Sequence, residues 1–196
     1  MLLAVSGSQG AGKTTVLNEL ANAGYRVIER KTSRSILSDW GVTLADVNNN
    51  HDLTIKFQDE ILARKLEDEA FAVNSDDIWF TERTFTDLFV YALVALGKDN
   101  EYNEWLNSYY EKCKSAQELY SAVFYLQAGH FQPVNDGVRG INQHYSTMVD
   151  LVMSHYTGLM TPQRNMCVID TPYIDTRVEV IASEITYIKT IKQGEK

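Results

Sequence analysis

The sequence predicts an α/β protein built on a five-stranded parallel sheet flanked by helices. Two observations carry this expectation. Short apolar runs alternate with helically patterned stretches, as strand–helix–strand crossovers require. The first run, Leu2-Leu3-Ala4-Val5-Ser6, passes through a glycine-rich turn directly into a helical pattern at Val16, Leu17 and Leu20. A second strand is expected at residues 25–29, entered from Ala23-Gly24. Residues 53–73 read as a long helix capped by Asp52, with Leu53, Phe57, Ile61, Leu66 and Ala70 on its buried face. On its charged face Glu60 and Arg64 are spaced to pair. A third strand follows at 78–82, helices at 85–96 and 100–115, and a fourth strand at 122–126. The glycine-containing stretch 127–140 leads to a helix at 141–156 and a fifth strand at 166–170, ended by Pro172. Asp175 is placed to cap the last helix, whose Val178, Ile181, Ile185 and Ile188 form a core-facing row.

Bulk properties narrow the classes. A chain of 196 residues is most simply one domain with a real hydrophobic core. Its hydrophobic content is ordinary, and no apolar run approaches the ~20 residues of a membrane span. The Leu2–Val5 segment is too short for a signal peptide and lacks a basic flank, so a cytoplasmic protein is expected. A net charge of -8 disfavours broad nucleic-acid binding but leaves room for a local basic site. Cys113 and Cys167 argue for neither a disulfide framework nor a zinc site, and His51, His130, His144 and His155 have no metal-ligand spacing. Trp105, Tyr109 and Tyr110 read as helix packing, and Trp40 as core packing or a stacking surface for an acceptor base.

The chemistry begins at residues 7–14. Gly7-Ser8-Gln9-Gly10-Ala11-Gly12-Lys13-Thr14 is a complete G-x-x-x-x-G-K-[ST] loop between a strand and a helix, where such a loop must lie. Glycines let backbone N–H groups turn inward around phosphate oxygens, and the helix N-terminus adds its positive dipole end. Lys13 is placed for the β- and γ-phosphates, the Thr14 hydroxyl for Mg²⁺, and Thr15 follows on the same turn. ATP and Mg²⁺ are the expected cofactors.

Three further segments stand where strands of an open sheet deliver ligand-binding residues. Glu29-Arg30-Lys31-Thr32-Ser33-Arg34 places a candidate general base, Glu29, before a basic turn whose Arg30 and Arg34 suit acceptor phosphate. Thr81-Glu82-Arg83-Thr84 offers a carboxylate for Mg²⁺ and an arginine to clamp the acceptor or the moving phosphoryl group. If Glu29 is not the base, Glu82 is the next candidate. Asp87, one turn later, reads as a helix-surface residue. Gly137-Val138-Arg139-Gly140 lies in an expected lid, 127–140, that can carry Arg139 onto the triphosphate and exclude water.

On the phosphate loop, Glu29, Glu82-Arg83-Thr84 and Arg139, the chain resembles the nucleoside and nucleotide kinases of the P-loop class, near the thymidylate kinases. That resemblance implies a P-loop kinase fold. Glu82-Arg83-Thr84 is similar to the Glu-Arg-Ser motif of deoxynucleoside kinases, and Glu29 to the base those enzymes carry after their second strand. Where thymidylate kinases have Asp, this chain has Glu82. The wording of residues 29–34 and 81–84 also resembles bacteriophage 5-hydroxymethyluracil DNA kinases. The expectation is therefore ATP-dependent phosphorylation of a pyrimidine nucleotide, leaning to the hydroxymethyl group of that base in DNA. A free deoxynucleoside or its monophosphate is the alternative acceptor. The reading from another class is a nucleotide-dependent switch or regulatory ATPase, although the Asn-Lys-x-Asp motif of GTPases is absent. The oligomeric state stays open, a homodimer among the alternatives.

Overall fold

The computed structural model describes residues 1–29, 32–131 and 142–194. Five parallel strands lie in the order β2-β3-β1-β4-β5: β1 (Leu2–Ser6), β2 (Arg26–Val27), β3 (Trp79–Glu82), β4 (Ala122–Leu126) and β5 (Met166–Ile169). The helices are α1 (Lys13–Asn22), α2 (Thr32–Trp40), α3 (Leu44–Asn48), α4 (His51–Val73), α5 (Phe85–Leu96), α6 (Asn103–Gln117), α7 (Gln143–Met160) and α8 (Ile174–Gly194). The expected fold class is the one observed.

Alternation along the central strands sorts the core into two layers. Leu2 and Ala4 of β1, with Val123 and Tyr125 of β4, pack beneath α4, α5, α6 and α7. Leu3 and Val5, with Phe124 and Leu126, pack against α1 and α8. In the α8 row, Ile181 and Ile185 are buried and Val178 and Ile188 flank them, as expected. The same alternation turns Ser6 of β1 and Thr81 of β3 toward the α4–α5 layer, which decides their partners at the site. Strand order reverses at β1, so the turn after it opens at the switch point where open α/β sheets bind ligands.

Several local expectations need correction. β2 spans two residues where five were expected. Among the described residues it is an edge strand that pairs with β3 alone, and its last ladder bond is Ile28 N–H to the Phe80 carbonyl at 2.8 Å. The basic turn expected at 29–34 is helical from Thr32, so Arg34 lies on α2. α4 is capped by Asn50, whose side chain accepts from Leu53 N–H, and Asp52 falls inside the first turn. Asp175 likewise lies within the first turn of α8.

The buried face of α4 is also rotated from the expected one. Leu66 is 39% exposed and Ala70 is exposed, whereas Lys65 and Glu69 are 0% exposed. The hydrophobic pattern could not foresee this, because the two charges neutralise each other inside. Glu60 and Arg64 do pair, at 2.7 Å, and Arg64 also reaches Asp39 of α2. Trp40 packs edge-on against Phe57, and Trp105 stacks on Tyr109. Both cysteines are free, and burial pushes the Cys113 thiol up to about 12.

Candidate active site

The turn from β1 to α1 is shaped by its glycines. Gly7 and Gly12 have positive φ, 141° and 87°, a region that side chains disfavour. A Cβ on Gly7 would lie 2.5 Å from the Leu126 carbonyl oxygen, and one on Gly12 would lie 2.8 Å from Arg177 Nη1. No side chain caps α1, which leaves its first-turn N–H groups available to an anion. Ser8 Oγ is buried without a hydrogen-bond partner. Gly12→Ala is therefore expected to cost about 1–2 kcal/mol in left-handed strain, beyond the steric contact with Arg177. Urea unfolding measures this, and an unchanged midpoint would mean that the loop relaxes around the new methyl.

Across this turn Lys13 Nζ donates to the carbonyls of Gly7 and Ser8, both at 2.9 Å. Burial, and then the neighbouring Arg83 guanidinium, hold its ammonium below the ordinary lysine pKa. Thr14 Oγ1 donates to Glu82 Oε2 at 3.1 Å. A hydroxyl and a carboxylate so placed suit Mg²⁺, which takes hard oxygen ligands and fills its remaining positions with water and phosphate. Metal-type clusters of three or more His, Cys, Asp or Glu side chains are absent among the described residues.

Arg83 follows Glu82 off the end of β3. Among the described residues it is the one non-glycine residue with positive φ, 68°. Such a conformation costs of order 1–3 kcal/mol and persists only where surroundings impose it. Its N–H donates to the Val5 carbonyl, and its guanidinium sits 5.1 Å from the centre of the Tyr91 ring. Burial works against its charge, but Tyr91, Asp87 and Glu82 outweigh that and raise its pKa. Conversely, burial would raise the Tyr91 phenol, yet Arg83 and Lys13 prevail and lower its pKa.

The expectation that Asp87 is a surface residue fails: it is 0% exposed. Thr84 caps α5, and Asp87 sits three residues on, where its N–H donates to Thr84 Oγ1. Ser6 and Thr84 hydroxyls both donate to Asp87 Oδ1, while Oδ2 has no partner. The Thr84-x-x-Asp87 spacing was the available signal, since it marks a helix start aimed at the sheet's carboxyl edge. Arg177 was missed altogether. It comes from α8, is 1% exposed, and donates to the Ala11 and Thr171 carbonyls while lying under the Phe131 ring. Nothing in a sequence pattern joins positions 166 residues apart.

Of the other expected site residues, Glu29 is exposed one residue past the Ile28–Phe80 bond. The register that pairs Val27 with Phe80 brings it level with Glu82. Arg34 is exposed on α2. Arg30, Arg139 and most of the expected lid lie outside the described residues. The structure thus brings together the loop, Lys13, Thr14, Glu82 and Arg83, and adds Asp87 and Tyr91.

The family model described as AAA domain matches residues 2–172. The chain belongs to this family. Deoxyadenosine kinase from M. mycoides with bound dATP resembles this AAA domain with a TM-score of 0.73 and 18% identity, over 95% of this chain and 100% of that one. The same enzyme with dCMP and a flexible dCDP gives 0.73 and 17% over the same shares. NadR in complex with NR also gives 0.73, at 16% identity, over 95% of this chain and 51% of that chain, so the AAA domain spans about half of NadR. At these identities the likeness is one of fold. None of the three is a thymidylate kinase or a DNA kinase, and no curated protein matches the sequence. No helix among the described residues is long and apolar enough to cross a membrane.

Proposed function

We propose that this AAA domain is an ATP-dependent kinase that phosphorylates a hydroxyl group of a nucleoside or nucleotide. The observation that carries the reading is the convergence on the start of α1: Lys13 across the loop, Thr14 hydrogen-bonded to Glu82, and Arg83 beside both. Phosphoryl transfer asks a protein chiefly for positioning and charge neutralisation, and these groups supply both. Lys13 leaves the Gly7 and Ser8 carbonyls for the phosphates, which the first-turn N–H groups also hold. Thr14 and Glu82 would hold Mg²⁺, which would supply neutralisation of phosphate charge. Arg83 faces the charge that develops on the transferring group. The acceptor oxygen forms a bond to the γ-phosphorus as the bond to the β–γ bridging oxygen breaks, and the acceptor proton passes to Glu29. Arg139 enters this scheme on sequence grounds alone.

Likeness to deoxyadenosine kinase favours a free deoxynucleoside or its monophosphate as acceptor. The reading with 5-hydroxymethyluracil in DNA rests on the resemblance in residues 29–34 and 81–84; of the basic segment after Glu29, the described part offers Arg34 on α2. Labelled ATP offered with nucleosides, monophosphates, and DNA carrying normal or hydroxymethylated pyrimidines separates these acceptors. Label transferred to a free nucleoside or monophosphate is the expected result. Hydrolysis of ATP with transfer to none of them would sink the kinase reading and favour a regulatory ATPase.

A companion variant tests the basic segment. Replacing Arg30 and Arg34 by Gln should raise the acceptor KM and leave that for ATP nearly unchanged. A DNA acceptor would also lose affinity steeply with added salt, and less steeply in the variant. A free monophosphate would show a shallow slope. An unchanged acceptor KM would remove these arginines from acceptor binding.

A further inference from the structure

We propose that the buried ammonium of Lys65 is a positioning group that holds Arg83 against the phosphate loop by hydrogen-bonding the Arg83 carbonyl oxygen. The inference rests on the role given to Arg83 above. Lys65 projects from α4 into the layer between that helix and the end of β3, where Nζ reaches the Arg83 carbonyl at 3.0 Å and Thr81 Oγ1 at 3.4 Å. Its charge is met by Glu69, one turn along the same helix. Thr81 Oγ1 donates to Glu69 Oε1 at 2.6 Å, and the Tyr120 hydroxyl to Oε2 at 2.9 Å. The rings of Phe85 and Tyr120 stack on each other and lie 5.1 and 5.7 Å from Nζ.

A buried ion pair is a poor means of stabilising a fold, because apolar side chains of similar size often do as well. This pair does something that apolar residues cannot. Arg83 leaves β3 with positive φ, and its carbonyl meets Lys65 in the α4 layer. A fixed donor at that point favours this conformation over an extended one, and the conformation decides where the guanidinium goes. The outcome is the Arg83–Tyr91 pairing beside Lys13. The path runs from α4, through one backbone carbonyl, to a side chain at the phosphates.

The test removes both charges together, as Lys65→Met with Glu69→Gln, so that no lone buried charge remains. Lys65→Met with Glu69→Leu replaces it should the first variant not fold. Turnover should fall by ~10²-fold while the KM for ATP stays within about twofold, as expected for a misplaced catalytic group. In an Arg83→Ala background the same changes should cause no further loss, because the group they position is gone. A second readout needs no turnover. With ring-labelled tyrosine, NMR follows the Tyr91 phenol, assigned through Tyr91→Phe, whose neighbours are Arg83, Lys13 and Asp87. Its titration should move upward once Arg83 is released. A folded variant with an unmoved Tyr91 titration overturns the proposal, as do losses that multiply with Arg83→Ala. If Arg83→Ala keeps full turnover while Tyr91 still shifts in the Lys65 variant, positioning stands and the catalytic role of Arg83 falls.

Discussion

Lys13→Ala is expected to lower turnover by ~10²-fold or more while leaving the fold intact. Among the described residues its ammonium donates two hydrogen bonds, both to carbonyls of the turn it spans. Alanine at the first position of α1 keeps helix propensity, so the structural loss is confined to the turn. The catalytic loss is different in kind. Burial and Arg83 penalise this charge more than Tyr91, Glu82 and Asp87 favour it, so a ligand's negative charge would relieve a cost the site already bears. Without the ammonium, charge developing on the γ-phosphoryl oxygens loses the one cationic side chain that spans the turn. Steady-state turnover measured beside a circular-dichroism melt decides the matter. A folded variant with near-normal turnover would place the phosphates elsewhere and undo the reading of the whole turn.

Legibility in the sequence divided along physical lines. Strands β1 and β4 were readable because both sheet faces are buried and their runs are buried throughout. The phosphate loop was readable because its glycines answer to backbone geometry, which the neighbouring Leu126 carbonyl and Arg177 enforce. Asp87 and the Lys65–Glu69 pair were not. Hydrophobic periodicity assigns charged residues to water, and these three are inside because each finds a partner more than ten residues away: Ser6 for Asp87, Arg83 for Lys65, Tyr120 for Glu69. Their placement is a tertiary fact. The helical start at Thr32 was hidden for a related reason. The basic residues before and after it suggest a solvated turn, yet Ile36 of α2 is fully buried against the α4 layer.

Glu29→Gln should leave ATP affinity near that of the unaltered protein and reduce turnover by ~10²–10⁴-fold, the span of a general base. The side chain is exposed, so an amide of equal size disturbs little packing. Its position level with Glu82, across the β2–β3 edge, puts two carboxylates at one end of the sheet, and their surroundings divide the work between them. Glu82 accepts from Thr14, which commits it to the metal side of the phosphates. Glu29 follows β2, one strand farther from the loop than Glu82. Glu82→Gln should accordingly raise the Mg²⁺ concentration needed for half-maximal turnover, whereas Glu29→Gln should not. If Glu29→Gln retains turnover within a factor of a few, and Glu82→Gln abolishes it at every Mg²⁺ concentration, the base is Glu82, and Thr14 would hold the metal without its carboxylate.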